Sequence, residues 1–287
     1  MIDQKIIDLY DEYTHAPLDR RVFLARLAQL TGSTAAAAAL VPLLEANQAS
    51  AALVSPDDQR LETGRITYPG ATGGITAYLA RPKGAAKLPA VIVIHENRGL
   101  NPHIEDVARR AALEGFLALA PDLLSPLGGT PTNQDTARDM IGKLDGKQTV
   151  QNLGAAITFL ESHPHGNGRV GAMGFCWGGG MVGELAVNAP DLDAAVVYYG
   201  RQPKAAEVEK IKAPLLLHYA GMDVRINGGI PAFEEALKKA NKKYTLYIYE
   251  GAQHAFNNDT SEARYNKQAA EQAWSRTIAF LKEHLQA

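Results

Sequence analysis

The stretch Arg169-Val170-Gly171-Ala172-Met173-Gly174-Phe175-Cys176-Trp177-Gly178-Gly179-Gly180 decides the fold. Its opening, residues 169–173, reads as a buried strand. Met181-Val182-Gly183-Glu184-Leu185-Ala186-Val187 follows and suits a helix. Strand, sharp glycine-crowded turn and helix together make a nucleophile elbow. The glycines admit strained dihedrals and a close strand–helix approach that a Cβ would block. The apex side chain is lifted out of the sheet, and the first amides of the helix point at whatever binds there. The usual elbow carries serine. This one carries Cys176, the one cysteine among 287 residues. The pattern predicts a hydrolase that works through a thiol.

Working outward, residues 90–94, 116–120, 170–173, 195–199 and 215–219 are continuous apolar runs of the fully buried strand type, and 245–249 closes the series. Residues 65–68 and 75–79 flank a glycine-rich turn and read as an antiparallel hairpin. Helical patterns at 104–114, 148–162, 179–188, 230–239 and 262–283 alternate with the strands. The alternation predicts an α/β fold: a mostly parallel sheet of about eight strands with helices on both faces.

Composition narrows the function. Hydrophobic residues make up 46% of the chain, enough for a full core. There are 29 basic and 31 acidic residues, with no basic run, so no nucleic-acid partner is expected. A single cysteine excludes an intrachain disulfide and a cysteine-cluster zinc site. No H-E-x-x-H pattern occurs, and neither a metal nor a cofactor is expected.

In such a sheet, function gathers at the carboxyl ends of the strands. Four strand ends carry reactive side chains: Glu96, Cys176, Asp223 and His254. The chain order nucleophile, acid, histidine is that of the α/β-hydrolases. Cys176 is the candidate nucleophile, since a helix N-terminus beside histidine favours thiolate. His254 is the candidate base. Asp223 would orient its imidazole, although aspartate at that place also suits a helix cap. Asp259 is the fallback acid. Glu96 reads either as a partner of Arg98, a helix cap, or a second charge beside Cys176. Backbone amides of Asn97 and Trp177 are the candidate oxyanion hole. Arg98, Tyr199, Arg201, Arg225 and Phe256 are the substrate-binding candidates.

Together, Cys176 in G-x-C-x-G-G, Glu96, Asn101-Pro102-His103-Ile104, Ala120-Pro121-Asp122-Leu123, Asp223 and His254-Ala255-Phe256 resemble the dienelactone hydrolase family over residues 61–287. The resemblance implies an α/β-hydrolase fold, a Cys176–Asp223–His254 triad, and a Glu96 that holds the resting thiol and yields to substrate. It also implies a small ester or lactone as partner, hydrolysed through a thioester. The founding enzymes hold the substrate carboxylate with two arginines. The corresponding stretches here, Leu124-Ser125-Pro126 and Asn257-Asn258, contain none. A substrate carboxylate is therefore expected to help little. A thiol-dependent acyltransferase or thioesterase is the alternative on the same scaffold. A non-catalytic redox-sensing thiol protein is a further one.

Residues 1–57 precede the domain, 58–287. Asp19-Arg20-Arg21-Val22-Phe23-Leu24 resembles a twin-arginine export signal. An uncharged stretch, 27–44, and Ala49-Ser50-Ala51 follow in the order of an apolar region and a cleavage site. Against export, the residues before the arginines are acidic, and Ile6, Ile7, Tyr10 and Tyr13 fall on one helical face. The segment reads as a retained helical extension of a cytoplasmic protein, with a cleaved signal and periplasmic location as the alternative. The apolar run is too short to span a bilayer as a helix, so no stable membrane insertion is expected. A homodimer is compatible with this reading. Residues 1–57 are expected to supply no residue of the site.

Overall fold

The computed structural model describes residues 2–15, 18–45, 52–85 and 87–286. Three helices come first: α1 (Gln4–His15), α2 (Arg20–Thr31) and α3 (Thr34–Leu44). Then follow β1 (Leu61–Gly70), β2 (Gly73–Pro82), β3 (Leu88–Ile94), α4 (Pro102–Leu113), β4 (Leu117–Pro121), α5 (Gln134–Ile141) and α6 (Gly146–Glu161). The second half runs β5 (Gly166–Phe175), α7 (Trp177–Asn188), β6 (Ala194–Tyr198), β7 (Leu215–Ala220), α8 (Val224–Asn227), α9 (Ile230–Lys239), β8 (Tyr244–Tyr249) and α10 (Lys267–Leu285).

The strands form one eight-stranded sheet in the order β1-β2-β4-β3-β5-β6-β7-β8. β1 pairs with β2, and β2 with β4, in antiparallel fashion. Every pairing from β4 through β8 is parallel. The expected hairpin is present with Tyr68 opposite Ile75.

Helices cover both faces, so the central strands have no solvent side. Every residue of β3 is buried. Its alternate residues divide between two cores, Val91 and Val93 facing α4 and α10, and Ala90, Ile92 and Ile94 facing α6, α7 and α9. Period-two alternation of Cβ direction explains why both sets must be apolar. Each fully buried Val or Ile side chain contributes about 1.5–3 kcal/mol.

The structure departs from the sequence reading most at the last helix and at α5. The last helix starts at Lys267 rather than 262. Asn258 Oδ1 accepts from Thr260 N and Oγ1, Ser261 N donates to Asn258 O, and Asn266 then caps the helix at Ala269 N. These turns hold the backbone bonds that helix would otherwise make. α5 was not foreseen: it is polar and buries only Ala137 and Ile141.

The N-terminal helices have a small core of their own, Ile6, Leu9, Tyr10, Tyr13, Phe23, Leu27, Ala37, Val41 and Leu44. Tyr13 stacks on Phe23 at 4.4 Å. Asp19 and Ser33 cap α2 and α3. Among the described residues no single helix is long and apolar enough to cross a membrane, while α2 and α3, bent by 113°, pass that test of length and composition as a pair. Ala49-Ser50-Ala51 lies outside the described residues.

The helices are tied to the sheet domain by side chains. Tyr13 Oη donates to Asp135 Oδ1 at 2.6 Å, and Arg20 reaches Asp135 Oδ2 at 2.8 Å. Arg138 donates to Tyr13 O and lies 4.6 Å over its ring. Arg264 covers the ring of Tyr10 at 4.9 Å.

Candidate active site

The turn between β5 and α7 has the geometry that its glycines require. Cys176 sits at φ 56, ψ −116, a strained conformation for a residue with a side chain. A Cβ on Gly178 would lie 2.4 Å from His95 O, and one on Gly174 would lie 2.3 Å from Gly178 O. Such contacts are impossible without moving backbone, so α7 meets the sheet through bare glycine. Cys176 N donates to Tyr198 O, which anchors the apex to the neighbouring strand. Trp177 is the first residue of α7, so its amide is among the donors that a helix leaves unpaired at its start.

The acid and base meet after β7 and β8. His254 Nδ1 lies 2.5 Å from Asp223 Oδ2. Asp223 Oδ1 accepts from Ile226 N as the cap of α8. One carboxylate therefore does both things that the sequence left as alternatives: it caps a helix and holds an imidazole. An ionised carboxylate can only accept, so His254 Nδ1 keeps its proton and Nε2 is the ring atom left to exchange a proton with the thiol. His254 Nε2 is buried and has no hydrogen-bond partner among the described residues.

The thiol has a partner that the sequence did not reveal. His15, the last residue of α1, brings its Nε2 to 3.0 Å from Cys176 Sγ. Its Nδ1 faces Asp11 Oδ1 at 3.1 Å and Asp11 O at 2.9 Å. The His15 and His254 rings meet edge to face at 4.6 Å. The expectation that residues 1–57 supply none of the site is thus overturned. His15 was hidden because nothing local marks where the end of an amphipathic helix docks on a distant rim.

Burial works against a charged His15, but the thiolate and Asp11 outweigh it and hold the imidazole pKa above its usual value. Asp11 is buried too, which opposes its charge, yet His254, His15 and Arg225 together hold its carboxyl well below the ordinary range. Arg225 Nε lies 3.2 Å from Asp11 Oδ2.

Glu96 lines the same cavity as Cys176. It pairs neither with Arg98 nor, among the described hydrogen bonds, with the thiol. Its Oε2 accepts from Asn258 Nδ2 at 2.7 Å, and its Oε1 is buried without a partner among the described residues. Asn97 donates through Nδ2 to Thr14 O of α1 at 2.6 Å. The loop carrying both residues is braced from below. His95 Nδ1 faces Glu96 O at 2.6 Å, its Nε2 accepts from Leu123 N, and its ring stacks on Trp177. Asp122 holds Thr130 through N and Oγ1, and Thr130 Oγ1 accepts from Leu100 N. The Pro-Asp-Leu segment is therefore a support for the rim loop.

The substrate-binding candidates divide. Arg98 is 8% exposed, lines the cavity and donates to Asp135. Tyr199 lies against His254 with ring centroids 5.1 Å apart, and its hydroxyl is buried without a partner among the described residues. Phe256 is fully buried and packs among Tyr198, Tyr199 and Tyr249, which is a core position rather than a lining one. Arg201 is exposed, and Arg225 pairs with Asp11. Asp259 pairs with Arg110 and His103, away from His254. Arg264 was not foreseen. It lines the cavity, is 8% exposed, and has no carboxylate partner among the described residues.

Comparison with known proteins identifies the family. The model of the "Dienelactone hydrolase family" matches residues 75–285, and a second model, "YqhI-like", matches residues 1–33. A provisionally named carboxymethylenebutenolidase of Saccharolobus solfataricus is 36% identical over 255 residues, covering 76% of this chain and 97% of its own. A protein of the same provisional name from Escherichia coli K12 is 32% identical, covering 82% and 92%. A provisionally named dienelactone hydrolase of Klebsiella pneumoniae, solved as a crystal structure, superposes with a TM-score of 0.71 at 31% identity, covering 78% of this chain and 99% of that one. The chain belongs to the dienelactone hydrolase family and is a carboxylic ester hydrolase on the α/β-hydrolase fold.

Proposed function

We propose that the chain hydrolyses small activated esters or lactones, enol lactones among them, through a Cys176–His254–Asp223 triad and a thioester intermediate. The observation that carries this is the strained Cys176 at the elbow apex, with the carboxylate-bound His254 beside it. The thiolate attacks the carbonyl carbon. The developing oxyanion is held by the amides of Trp177 and Asn97. The proton that the thiol gives up to His254 Nε2 as sulfur is freed passes to the leaving group, and Nε2 then takes a proton from the water that cleaves the thioester. His15 holds the thiol at rest and must give way for Sγ to reach the carbonyl. Glu96, bonded to Asn258, contributes negative charge to the cavity wall.

Sulfur sets the substrate class. The tetrahedral intermediate expels the weaker base, and a thiolate, from a thiol with pKa of about 8.5, leaves before an alkoxide. Phenolates and enolates compete with it. Aryl esters and enol lactones should therefore be preferred over alkyl esters. Arg264, which lines the cavity without a carboxylate partner among the described residues, takes the place of the missing arginines as a counter-charge for an anionic substrate group and revises the expectation that a carboxylate helps little. A matched series of aryl and alkyl esters, with and without a free carboxylate, tests this by kcat/KM. Equal rates on aryl and alkyl members would overturn the leaving-group reading, and wild-type turnover by Cys176→Ala would overturn the nucleophile.

We also read residues 1–57 as a retained cap on the domain 58–287, because His15, Thr14 and Tyr10 line the cavity. A chain shortened to begin near Ser55 that keeps its sheet domain folded and its ester turnover unchanged would refute this.

A further inference from the structure

We infer that His15, Cys176 and His254 form a binding site for a divalent cation of the zinc type, with three protein donors and a fourth position open to the cavity. Thiol hydrolysis uses one imidazole with its carboxylate. The second such pair, brought in by α1, has no chemical step assigned to it there.

The donor atoms of the three residues all lie within 4.8 Å of one another. A zinc ion holds sulfur at about 2.3 Å and imidazole nitrogen at about 2.0–2.1 Å, so tetrahedral donors stand roughly 3.3–3.6 Å apart. His15 Nε2 and Cys176 Sγ, now 3.0 Å apart, need to part by only about half an ångström to admit the ion. Both sit at element ends, His15 closing α1 and Cys176 preceding α7.

The surroundings are those of a metal centre. His254 Nδ1 is bonded to Asp223, and His15 Nδ1 contacts Asp11 O and Thr14 Oγ1 with the Asp11 carboxylate 3.1 Å away. Each imidazole therefore has a carboxylate behind it and presents Nε2 to the sulfur. Carboxylate-backed histidine is the usual way in which a protein fixes the tautomer and raises the basicity of a metal ligand. His254 Nε2 supports the assignment independently, since it is buried and unpartnered among the described residues. Two imidazoles and a thiolate are borderline-to-soft donors, which favour Zn2+ over Mg2+ or Ca2+. The ligands come from three distant segments, so no spacing motif betrays them, and the expectation of no metal is revised by this reading.

Binding involves no oxidation or reduction. The thiol proton, or the proton it has shared with His15, goes to solvent. The sulfur and the two Nε2 atoms each donate a lone pair to the ion. The sulfur pair is then unavailable for attack on a carbonyl, and the loaded chain is inactive as a thiol hydrolase. Glu96, Asn97 and Arg98 line the same cavity as the three donors.

The test uses the full chain, stripped with a chelator and titrated with Co2+, then with Zn2+. One cobalt per chain should bind, with the near-ultraviolet charge-transfer band of a thiolate ligand and the intense visible bands of four-coordination, and Zn2+ should displace it. His15→Ala should weaken binding by more than about 100-fold. Asp11→Asn, which leaves all three donors and the helix in place, should weaken it by about 10–100-fold. Absence of the thiolate band, or unchanged affinity in both variants, would overturn the site. Ester turnover by the stripped chain is read separately: a chain that turns over esters but binds no cobalt loses the metal site and keeps the hydrolase.

Discussion

The two histidines beside Cys176 are held by different parts of the molecule, and the difference is instructive. His254 follows β8, and its acid follows β7. Both strands lie in the parallel ladder, with Leu215 to Ala220 paired residue by residue with Tyr244 to Tyr249. A backbone ladder dictates where such a strand ends, and so where its loop must stand. His15 ends a helix that belongs to a separate small core. Its place depends on a few side chains, chiefly Tyr13 and Arg20 on Asp135 and Arg225 on Asp11. One imidazole is positioned by topology, the other by docking.

The largest effects should fall on the topological side. Cys176→Ala should remove ester turnover, and His254→Ala should lower kcat/KM on an aryl ester by about 100- to 10,000-fold. Asp223→Asn should cost less, while still acting through the orientation of the same ring. A silent Asp223→Asn would break the comparison, because the acid would then lie elsewhere.

His15 should matter next, and in a different manner. Loss of a charge-assisted hydrogen bond is worth about 1.5–3 kcal/mol. His15→Ala should therefore change the rate of Cys176 alkylation by roughly tenfold or more near neutral pH, with a smaller change in ester turnover than His254→Ala. The pH dependence has a definite sign. His15 has a raised pKa in the folded state. Its contribution is fully present below the unfolded value of about 6.5 and is lost as pH rises through the raised one. The protection factor of the α1 amides, which is free of the intrinsic rise of exchange with pH, should fall across that range in wild type and not in His15→Ala.

Asp135 receives hydrogen bonds from Tyr13, Arg20 and Arg98. Asp135→Ala should weaken the docking of α1 by about 1–3 kcal/mol, measured as faster proteolysis of the N-terminal helices with the sheet domain intact. The smallest effect expected is that of Arg264→Gln. It should raise KM for a carboxylate-bearing ester by a few-fold to about tenfold, and leave the neutral ester nearly unchanged. Equal changes on both substrates would make Arg264 a packing residue under Tyr10.

The same division explains what could be read from the chain alone. The buried strands were legible because two-sided burial leaves a continuous apolar run, as in Val91-Ile92-Val93-Ile94. The elbow was legible because close backbone approach admits only glycine at Gly174 and Gly178. Asp223 and His254 followed from the rule that strand ends share a rim. α5 escaped because it is only eight residues long and buries just Ala137 and Ile141, too short a run to stand out as a helix. His15 and Arg264 escaped for another reason: each is brought to the cavity by tertiary docking, and neighbouring residues carry no trace of it. Phe256 shows the converse error, a residue next to the base in sequence whose ring points into the core.

The contact between His15 and Cys176 spans 161 residues of chain. During synthesis α1 leaves the ribosome well before the strands that will receive it. Its partner at Gln253 is made later still, after β8. Ile6, Leu9, Tyr10 and Tyr13 form an apolar face that has α2 and α3 for cover in the meantime. The small three-helix core rests on local contacts, whereas the sheet needs pairings distant in sequence, and the two kinds of contact form on different time scales. The thiol is born without its resting partner, and the site is completed only when the earliest helix closes over the latest loop.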